Sequence, residues 1–526
     1  MLVFTSSCSI IQDMETVNMR PLSEILGAMS AKDQTSVALV TKAYEFSRKA
    51  HEPQKRFSGA PYFSHPAEVA HSLASAGMDA STIAAGLLHD TVEDAGVKSE
   101  TLESEFGSEV LFLVQGVTKL GTLKYHGVER HTESLRKLFA ATAEDIRVLI
   151  IKLMDRLHNA RTLSAVPRPD KQMRIALETL EIYAPIADRL GMSVLKQDLE
   201  DAAFPYAYPK EYERVRELLK ERKFENEKRL EKVEKDLKRE LAEAGVRHFR
   251  TEARIKGVYS LFRKLERKKW DISQIYDILA LRVIFPSLAD CYTALGLIHA
   301  HWRPVPGKIK DYIAFPNPNG YQSLHTTVYT GDGGALEMQL RTEGIHQESL
   351  YGIASHLTYK ERQRGTAGAE SGFQWIRQFF PMLRNKESVS EVSNEKGAPN
   401  WVKELAHAHN AADESEEYLD QLKTDFFSHR VFVFTPKSDV IDLPLGATPI
   451  DFAYAIHSDL GNTMSGARVN NKMVSLDTPL RNGDMLEIIN RPAGKPSQKW
   501  HDIAKTTLAK KHIRSALAEM ERKRSR

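Results

Sequence analysis

The spacing of apolar residues changes its period once along this chain of 526 residues, near Gly245, and that change limits the folds open to it. From residue 36 to residue 206, apolar side chains recur at i, i+3 and i+4, as over Lys171–Ala184, and strand signals are nearly absent. Helices that each bury one face give this pattern, so the first part is predicted to be an all-α domain. After Gly245, residues 276–285 (YDILALRVIF) read as a buried strand. Residues 325–330 (HTTVYT), the turn GDGG and residues 335–342 (ALEMQLRT) read as a β-hairpin. With helices such as Ile255–Lys269 around them, they predict an α+β domain. Between the two lies a charged run, Pro209 to Glu243, whose opposite charges at i,i+4 suit an exposed connecting helix rather than a nucleic-acid site.

Two further stretches complete the division. Residues 385–400 (NKESVSEVSNEKGAPN) are polar and aperiodic, a linker. From His429 to Arg491 comes a small unit with strands at 431–435 and 485–490, a short helix at Pro449–Ile456 and a turn at 481–484. The predicted order is an N-terminal extension (1–35), the all-α domain (36–206), the connector (207–245), the α+β domain (246–370), a linker (371–427), the small unit (428–491) and a basic helical tail (492–526). Length alone sets a prior of about three to four domains. With 42% hydrophobic and 27% charged residues, the composition argues against disorder, collagen and a coiled-coil rod.

No run approaches a membrane-spanning length, and residues 1–12 (MLVFTSSCSIIQ) lack the basic and long apolar regions of a signal peptide. Two cysteines, Cys8 and Cys291, cannot build a disulfide framework, so a reducing, cytoplasmic compartment is expected. The net charge of +3 excludes nothing. Its distribution says more: from Lys495 to Arg526 there are ten Lys/Arg against three Asp/Glu. Such a tail either meets RNA phosphates or is a solvated terminal helix.

The all-α domain carries candidate metal ligands on separate helices: His65 in PYFSHP, His89-Asp90, and Asp155 in KLMDRLHNART. Two imidazoles with two carboxylates suit Mn²⁺, Fe²⁺ or Zn²⁺. A helix over Ser81–Asp94 would put Glu93 and Asp94 on the same side as His89 and Asp90, where acids can position a water and move its proton. Lys152, Asp155, Arg156 and Asn159 form a second stripe, one carboxylate for metal and two cations for phosphate. A lone HD pair is better explained by structural pairing; the ordered set H…HDxxED…KxxDRxxN is far more specific. In the α+β domain Arg254, Lys256, Ser260, Arg263 and Lys264 read as a basic helical stripe. Asp277 and Glu337 sit in strand-like segments, where they could share a Mg²⁺ or divide metal binding from proton removal. Between them, Lys308, Lys310, Asp311, Asn319, Tyr321 and His325 offer charge neutralisation and ring stacking for a purine nucleotide polyphosphate. No Walker- or kinase-type glycine loop is present.

The segments RFSGAPYFSHP, AAGLLHDTVEDAG, LVQGVTKLG and KLMDRLHNARTL closely resemble the hydrolase domain of the RelA/SpoT homologue family. In that family this HD-type domain removes the 3′-pyrophosphate from ppGpp and pppGpp with Mn²⁺. The resemblance implies metal roles for His65, His89, Asp90 and Asp155, water handling by Glu93 and Asp94, and nucleotide contacts from Arg56 and Asn159. RIKGVYSLFRK, YDILALRVIF, KDYIAFPNPNGYQSLHT and EMQLRT resemble the same family's nucleotidyltransferase-like synthetase domain. There the 3′-hydroxyl of GDP or GTP attacks the β-phosphorus of ATP. By resemblance Asp277 binds Mg²⁺, Glu337 binds Mg²⁺ or activates the hydroxyl, Tyr321 stacks on guanine and Arg254 lies against adenine. Lys256, Lys264, Lys310 and His325 would meet phosphates, and Ser260, Lys308, Gln339 and Arg341 complete the nucleotide site. Bifunctional members carry an RxKD-type motif; here Lys308-Ile-Lys310-Asp311 keeps the charge and loses the planar fork.

Residues 431–490 resemble the TGS domain, a small β-grasp module with a regulatory role that includes tRNA contact on the ribosome, and His457 stands where a family histidine is expected. The resemblance covers roughly residues 35–515, without the distal C-terminal modules of long members. It implies a bifunctional alarmone enzyme of the stringent response. Two other readings predict decay of one or both residue sets: an enzyme with one live site and one regulatory pocket, and a ribosome- or tRNA-binding adaptor. The only change of that kind is the lysine at 308.

Overall fold

A computed structural model describes residues 19–121, 145–272, 275, 278–317, 319–352, 354, 430–436, 440–481, 483–491 and 495–524. They form two compact units, one up to residue 354 and one from residue 430. Asp277 and the linker at 371–427 lie outside the described residues.

The first unit opens with helices α1 (Leu22–Ala28), α2 (Gln34–Ala50), α3 (Ser64–Ser75), α4 (Ala80–Leu88), α5 (Ser99–Gly121), α6 (Ile146–Arg161), α7 (Pro169–Glu178), α8 (Ala184–Arg189) and α9 (Ser193–Ala207). Carboxylates start several of them by accepting orphan N–H groups: Asp79 from Thr82 at 2.8 Å and Asp145 from Arg147 at 2.9 Å. The buried Arg147 guanidinium then ties α4, α5 and α6 together through Asp79 (2.9 Å), Glu109 (2.8 Å) and Asp145 (2.8 Å). α4 stops at Leu88 and does not run on to Asp94, which corrects the expected helix. The Thr91 hydroxyl takes the Leu88 carbonyl at 2.6 Å, and His89–Asp94 pass through turns.

The charged run is one 35-residue helix, α10 (Pro209–Glu243), about 50 Å long. It is more than an exposed connector. Val215 packs with Phe204, Leu261 and Phe262, while Leu230, Val233, Leu237 and Leu241 enter the core of the sheet that follows. That sheet comprises β1 (Arg250–Ile255), β2 (Leu279–Phe285), β3 (Pro304–Asp311), β4 (Leu324–Tyr329) and β5 (Ala335–Thr342), in the order β1-β2-β5-β4-β3. Only the central β2–β5 pair is parallel. Helices α11 (Val258–Arg267), α12 (Leu288–His301) and α13 (Glu343–Tyr351) complete the domain. Leu281, Val283, Phe285, Met338 and Leu340 share one buried core with α10 and α12. Strand alternation therefore sends Arg254, Arg282, His325, Glu337, Gln339 and Arg341 to the other face. Arg254 belongs to β1, not to a helix as its basic neighbours had implied: α11 begins only after Gly257.

In the second unit, β6 (Arg430–Phe434) and β7 (Val440–Pro444) form a hairpin, and β8 (Met464–Val469), β9 (Lys472–Val474) and β10 (Leu486–Asn490) form an antiparallel sheet. A parallel bridge from Phe434 to Met485 links the two. Helix α14 (Pro449–Ile456) starts at a capping box, Thr448 with Asp451, and is followed by α15 (Ser458–Thr463). After α16 (Gln498–Ile503), the basic tail folds back as α17 (Thr507–Arg524), with Ala509 and Ile513 buried against Ile450, Ala453 and Tyr454. The second oxygen of buried Asp451 accepts the Lys505 and Thr506 N–H groups at 2.8 and 2.7 Å. The tail is thus part of a core rather than a freely solvated helix. No described helix is long and apolar enough to cross a membrane.

Candidate functional site

His65 lies in the first turn of α3, His89 and Asp90 follow the end of α4, and Asp155 lies inside α6. Packing of these helices brings the four together. His65 Nε2 is 3.1 Å from Asp155 Oδ1 and 3.6 Å from Asp90 Oδ2; His89 Nε2 is 3.2 Å from Asp90 Oδ1 and 4.0 Å from Asp155 Oδ1. One ligand atom each from His65, His89 and Asp155 fits within 4.8 Å. The donor set passes a stricter test at His89. Its Nδ1 donates to the Gly86 carbonyl at 2.8 Å, so the lone pair is on Nε2, and that atom is buried without a hydrogen-bond partner. A buried imidazole nitrogen left open among carboxylates is what a divalent metal ion requires.

The electrostatics agree. Burial lowers the pKa of His65, keeping it a neutral ligand, although Asp155 and Asp90 pull the other way. Burial would raise the Asp155 carboxyl, but the Lys152 ammonium at 2.7 Å and His65 outweigh it and hold Asp155 well below the usual range. Glu93 and Asp94 are exposed at the rim. Burial, then Asp94 and Asp90, raise the Glu93 carboxyl. The Tyr62 hydroxyl reaches Asp94 at 2.5 Å and Asp90 at 3.0 Å, bridging a predicted metal ligand and a predicted acid.

Arg56 donates to Asn159 Oδ1 at 3.0 Å, and Asn159 donates to Asp155 Oδ1 at 2.5 Å, so both join the cluster. Arg156 takes a different course: it pairs with Glu178 at 3.2 Å and lies 4.2 Å over the Tyr183 ring. Sequence reasoning missed Tyr62 and His158, whose Nδ1 is 2.7 Å from His65 Nδ1.

The second cluster occupies the polar face of the sheet. Glu337 lies opposite Ala280 in the parallel β2–β5 register, three residues beyond Asp277. The Glu337 carboxylate is 3.4 Å from His325 Nδ1, and His325 Nε2 is 2.8 Å from the Tyr321 hydroxyl. Arg341 donates to the Tyr321 oxygen and to Gln339 Oε1, both at 3.0 Å, and Arg254 reaches that Gln339 oxygen at 3.4 Å. Gln339 Nε2 donates to Glu337 at 2.7 Å. Gln339 and Arg341 are only 2% and 1% exposed, which places them beneath the surface, supporting Tyr321 and Glu337. Burial would raise the Tyr321 phenol, but Arg341, His325 and Arg254 outweigh it and bring it down to about 7. Lys310 pairs with His325 across β3 and β4, and Lys308 and Lys310 are exposed. Lys256 follows β1 and Lys264 sits on α11, where Ser260 donates to Glu200 of α9 at 3.2 Å. Asp311 is engaged locally: it accepts from Ile313, Ala314 and Tyr292.

In the second unit His457 is exposed, and its Nδ1 accepts the Asp459 N–H at 3.2 Å. Lys495, Lys499, Lys505, Lys511 and Arg514 of the C-terminal tail are exposed.

Comparisons with known proteins find three family matches along the chain. Residues 43–193 match the HD domain, residues 253–364 the region found in RelA / SpoT proteins, and residues 431–490 the TGS domain. Over 491 residues, 93% of this chain and 61% of the relative, the sequence is 43% identical to a GTP pyrophosphokinase of Myxococcus xanthus. Over 490 residues, 92% of this chain and 65% of the relative, it is 42% identical to a guanosine-3′,5′-bis(diphosphate) 3′-pyrophosphohydrolase of Aquifex aeolicus. The chain spans less than two thirds of these relatives. A solved metazoan ortholog of SpoT that hydrolyzes ppGpp is 25% identical, covering 32% of this chain and 93% of its own, at a TM-score of 0.25, too low to carry an argument. The fold is an all-α HD domain, an α+β domain of the RelA/SpoT kind and a small TGS domain with a β-grasp arrangement.

Proposed function

We propose, from the premise that this chain belongs to the RelA/SpoT homologue family, that it both makes and destroys the guanosine 3′-diphosphates. The synthetic reaction moves a pyrophosphoryl group from ATP to the 3′-hydroxyl of GDP or GTP. The opposing reaction adds water and returns GDP or GTP and pyrophosphate. The observation that carries this is the joint survival of both residue sets in workable geometry: His65, His89, Asp90 and Asp155 in one cluster, and Glu337, His325 and Tyr321 in another.

In the hydrolase site, His65, His89, Asp90 and Asp155 would hold Mn²⁺, which supplies a water acidified for attack and charge to offset the diphosphate. The remaining residues do ordinary acid–base and binding work. Glu93, with its raised pKa, is suited to take and return a proton at the rim. Tyr62 fixes the orientation of Asp94. Arg56, Lys152 and Asn159 bind and orient the nucleotide. In the synthetase site, Glu337 with Asp277 would hold Mg²⁺ or accept the hydroxyl proton. Tyr321 offers a stacking face for guanine, Arg254 lies towards adenine, and Lys308, Lys310 and His325 neutralise phosphates. The exposed His457 and basic tail give the TGS unit a surface for tRNA on the ribosome. The nucleotide substrates place the enzyme in the cytoplasm.

Nucleotide chromatography tests this directly. Purified protein with ATP, GDP and Mg²⁺ should yield ppGpp, and ppGpp with Mn²⁺ should return GDP and pyrophosphate. Failure of either reaction under every metal condition leaves a one-site enzyme as the better account.

A further inference from the structure

The two predicted histidine ligands are held in different ways. His89 gives its Nδ1 to a backbone carbonyl, which can only accept, so its proton is fixed on Nδ1. His65 gives its Nδ1 to another imidazole, His158 Nδ1, at 2.7 Å, with both side chains buried. Only one proton fits between two nitrogens at that distance. If it belongs to His65, Nε2 carries the lone pair and faces Asp155 and Asp90 as a ligand. If it belongs to His158, His65 must carry its own proton on Nε2, where Asp155 Oδ1 lies 3.1 Å away to accept it, and the ligand position is closed. The same contacts thus permit two proton arrangements, and only one binds metal.

We infer that His158 is a positioning residue for the hydrolase site, holding His65 as an Nδ1–H tautomer so that its Nε2 is open to a divalent metal ion. The inference rests on the metal site proposed above. It names a residue whose role cannot be replaced by packing: an acceptor is needed at its Nδ1 position. Asparagine can supply one through Oδ1, which like Nδ1 is bonded to Cγ, whereas leucine leaves the His65 N–H buried and unpaired. Partners of this kind commonly change metal affinity by about 10- to 100-fold.

The test is Mn²⁺ binding to the full chain, followed by electron paramagnetic resonance of free Mn²⁺, with thermal melts to establish folding. His158→Leu should weaken binding by about 10- to 100-fold, and His158→Asn should stay within about threefold of wild type. Nitrogen-15 spectra of histidine-labelled wild-type protein loaded with Zn²⁺ should show His65 protonated at Nδ1. Leucine-variant binding as tight as wild type, asparagine-variant binding as weak as the leucine variant, or a His65 proton on Nε2 would each overturn the inference while leaving the metal site standing. Wild-type protein that takes up no Mn²⁺ overturns the site itself, and the inference with it. If the leucine variant does not fold, the wild-type spectrum and the asparagine variant decide.

Discussion

Asp155 gathers His65, Lys152 and Asn159 within 3.1 Å, and it shows how the site's residues depend on one another. Asp155→Ala removes a proposed ligand and strands the Lys152 ammonium, so on the proposed activities Mn²⁺-dependent hydrolysis should fall to background while synthesis persists; paired assays of the two reactions check this. Glu337→Gln keeps the size and removes the charge. Synthesis from ATP and GDP should drop by about 10²–10⁴-fold, the usual cost of a lost general base, with hydrolysis within a few-fold of wild type. Asp201 supplies a prediction about pH. Burial raises its carboxyl from 3.8 to about 7, with the Tyr259 N–H at 3.0 Å working against the rise. Between those values the folded state holds a proton that the unfolded chain has released, so this group's contribution to stability falls as pH rises through that window. Asp201→Asn keeps the acceptor and removes the charge. It should melt higher than wild type at pH 8, and the gap should close towards pH 5, as calorimetry would show. The four ligand candidates were legible because each stands in a compact motif. Tyr62 and His158 were not, because their importance comes from contacts 28 and 93 residues distant in sequence.

Elements were legible in proportion to how much apolar surface they bury. The helices of the first domain and strands β2, β4 and β5 announced themselves by period. The two missed strands, β1 and β3, are the sheet's edges. RTEARI is rich in charge and PVPGKIKD holds two prolines and a glycine, as edge strands often do, so neither carries a strong apolar signal. The apolar stripe of α10 was hidden by its charges although its spacing, Leu230, Val233, Leu237, Leu241, is helical. The end of α13 makes a claim that can be tested. Gly352 has φ +54° and ψ −129°, and a Cβ there would run into the backbone of Leu190, Gly191 and Met192 in the α8–α9 turn. The end of α8 also holds the loop that carries Tyr321, through Asn319 donating to the Asp188 carbonyl at 3.1 Å. Gly352→Ala combines backbone strain with overpacking and should cost about 1–3 kcal/mol, measurable by urea unfolding.

For the whole molecule, the sequence disclosed three folded regions but not that the basic tail completes the core of the last one. Asp451 anchors both α14 and the approach to α17, and nothing in the sequence joins residues 451 and 506. If this unit meets tRNA, binding should weaken steeply with added salt and disappear from a chain ending at residue 427; filter binding across a salt series measures both. The order of the clusters along the chain also bears on unfinished molecules. Translation completes His65, His89, Asp90 and Asp155 long before it reaches Glu337, and N-terminal domains generally fold first during synthesis. A polypeptide abandoned between residues 207 and 337 would therefore own the means of erasing the nucleotide message without the means of writing it. On the proposed activities, copies interrupted in that window silence an alarm rather than raise a false one.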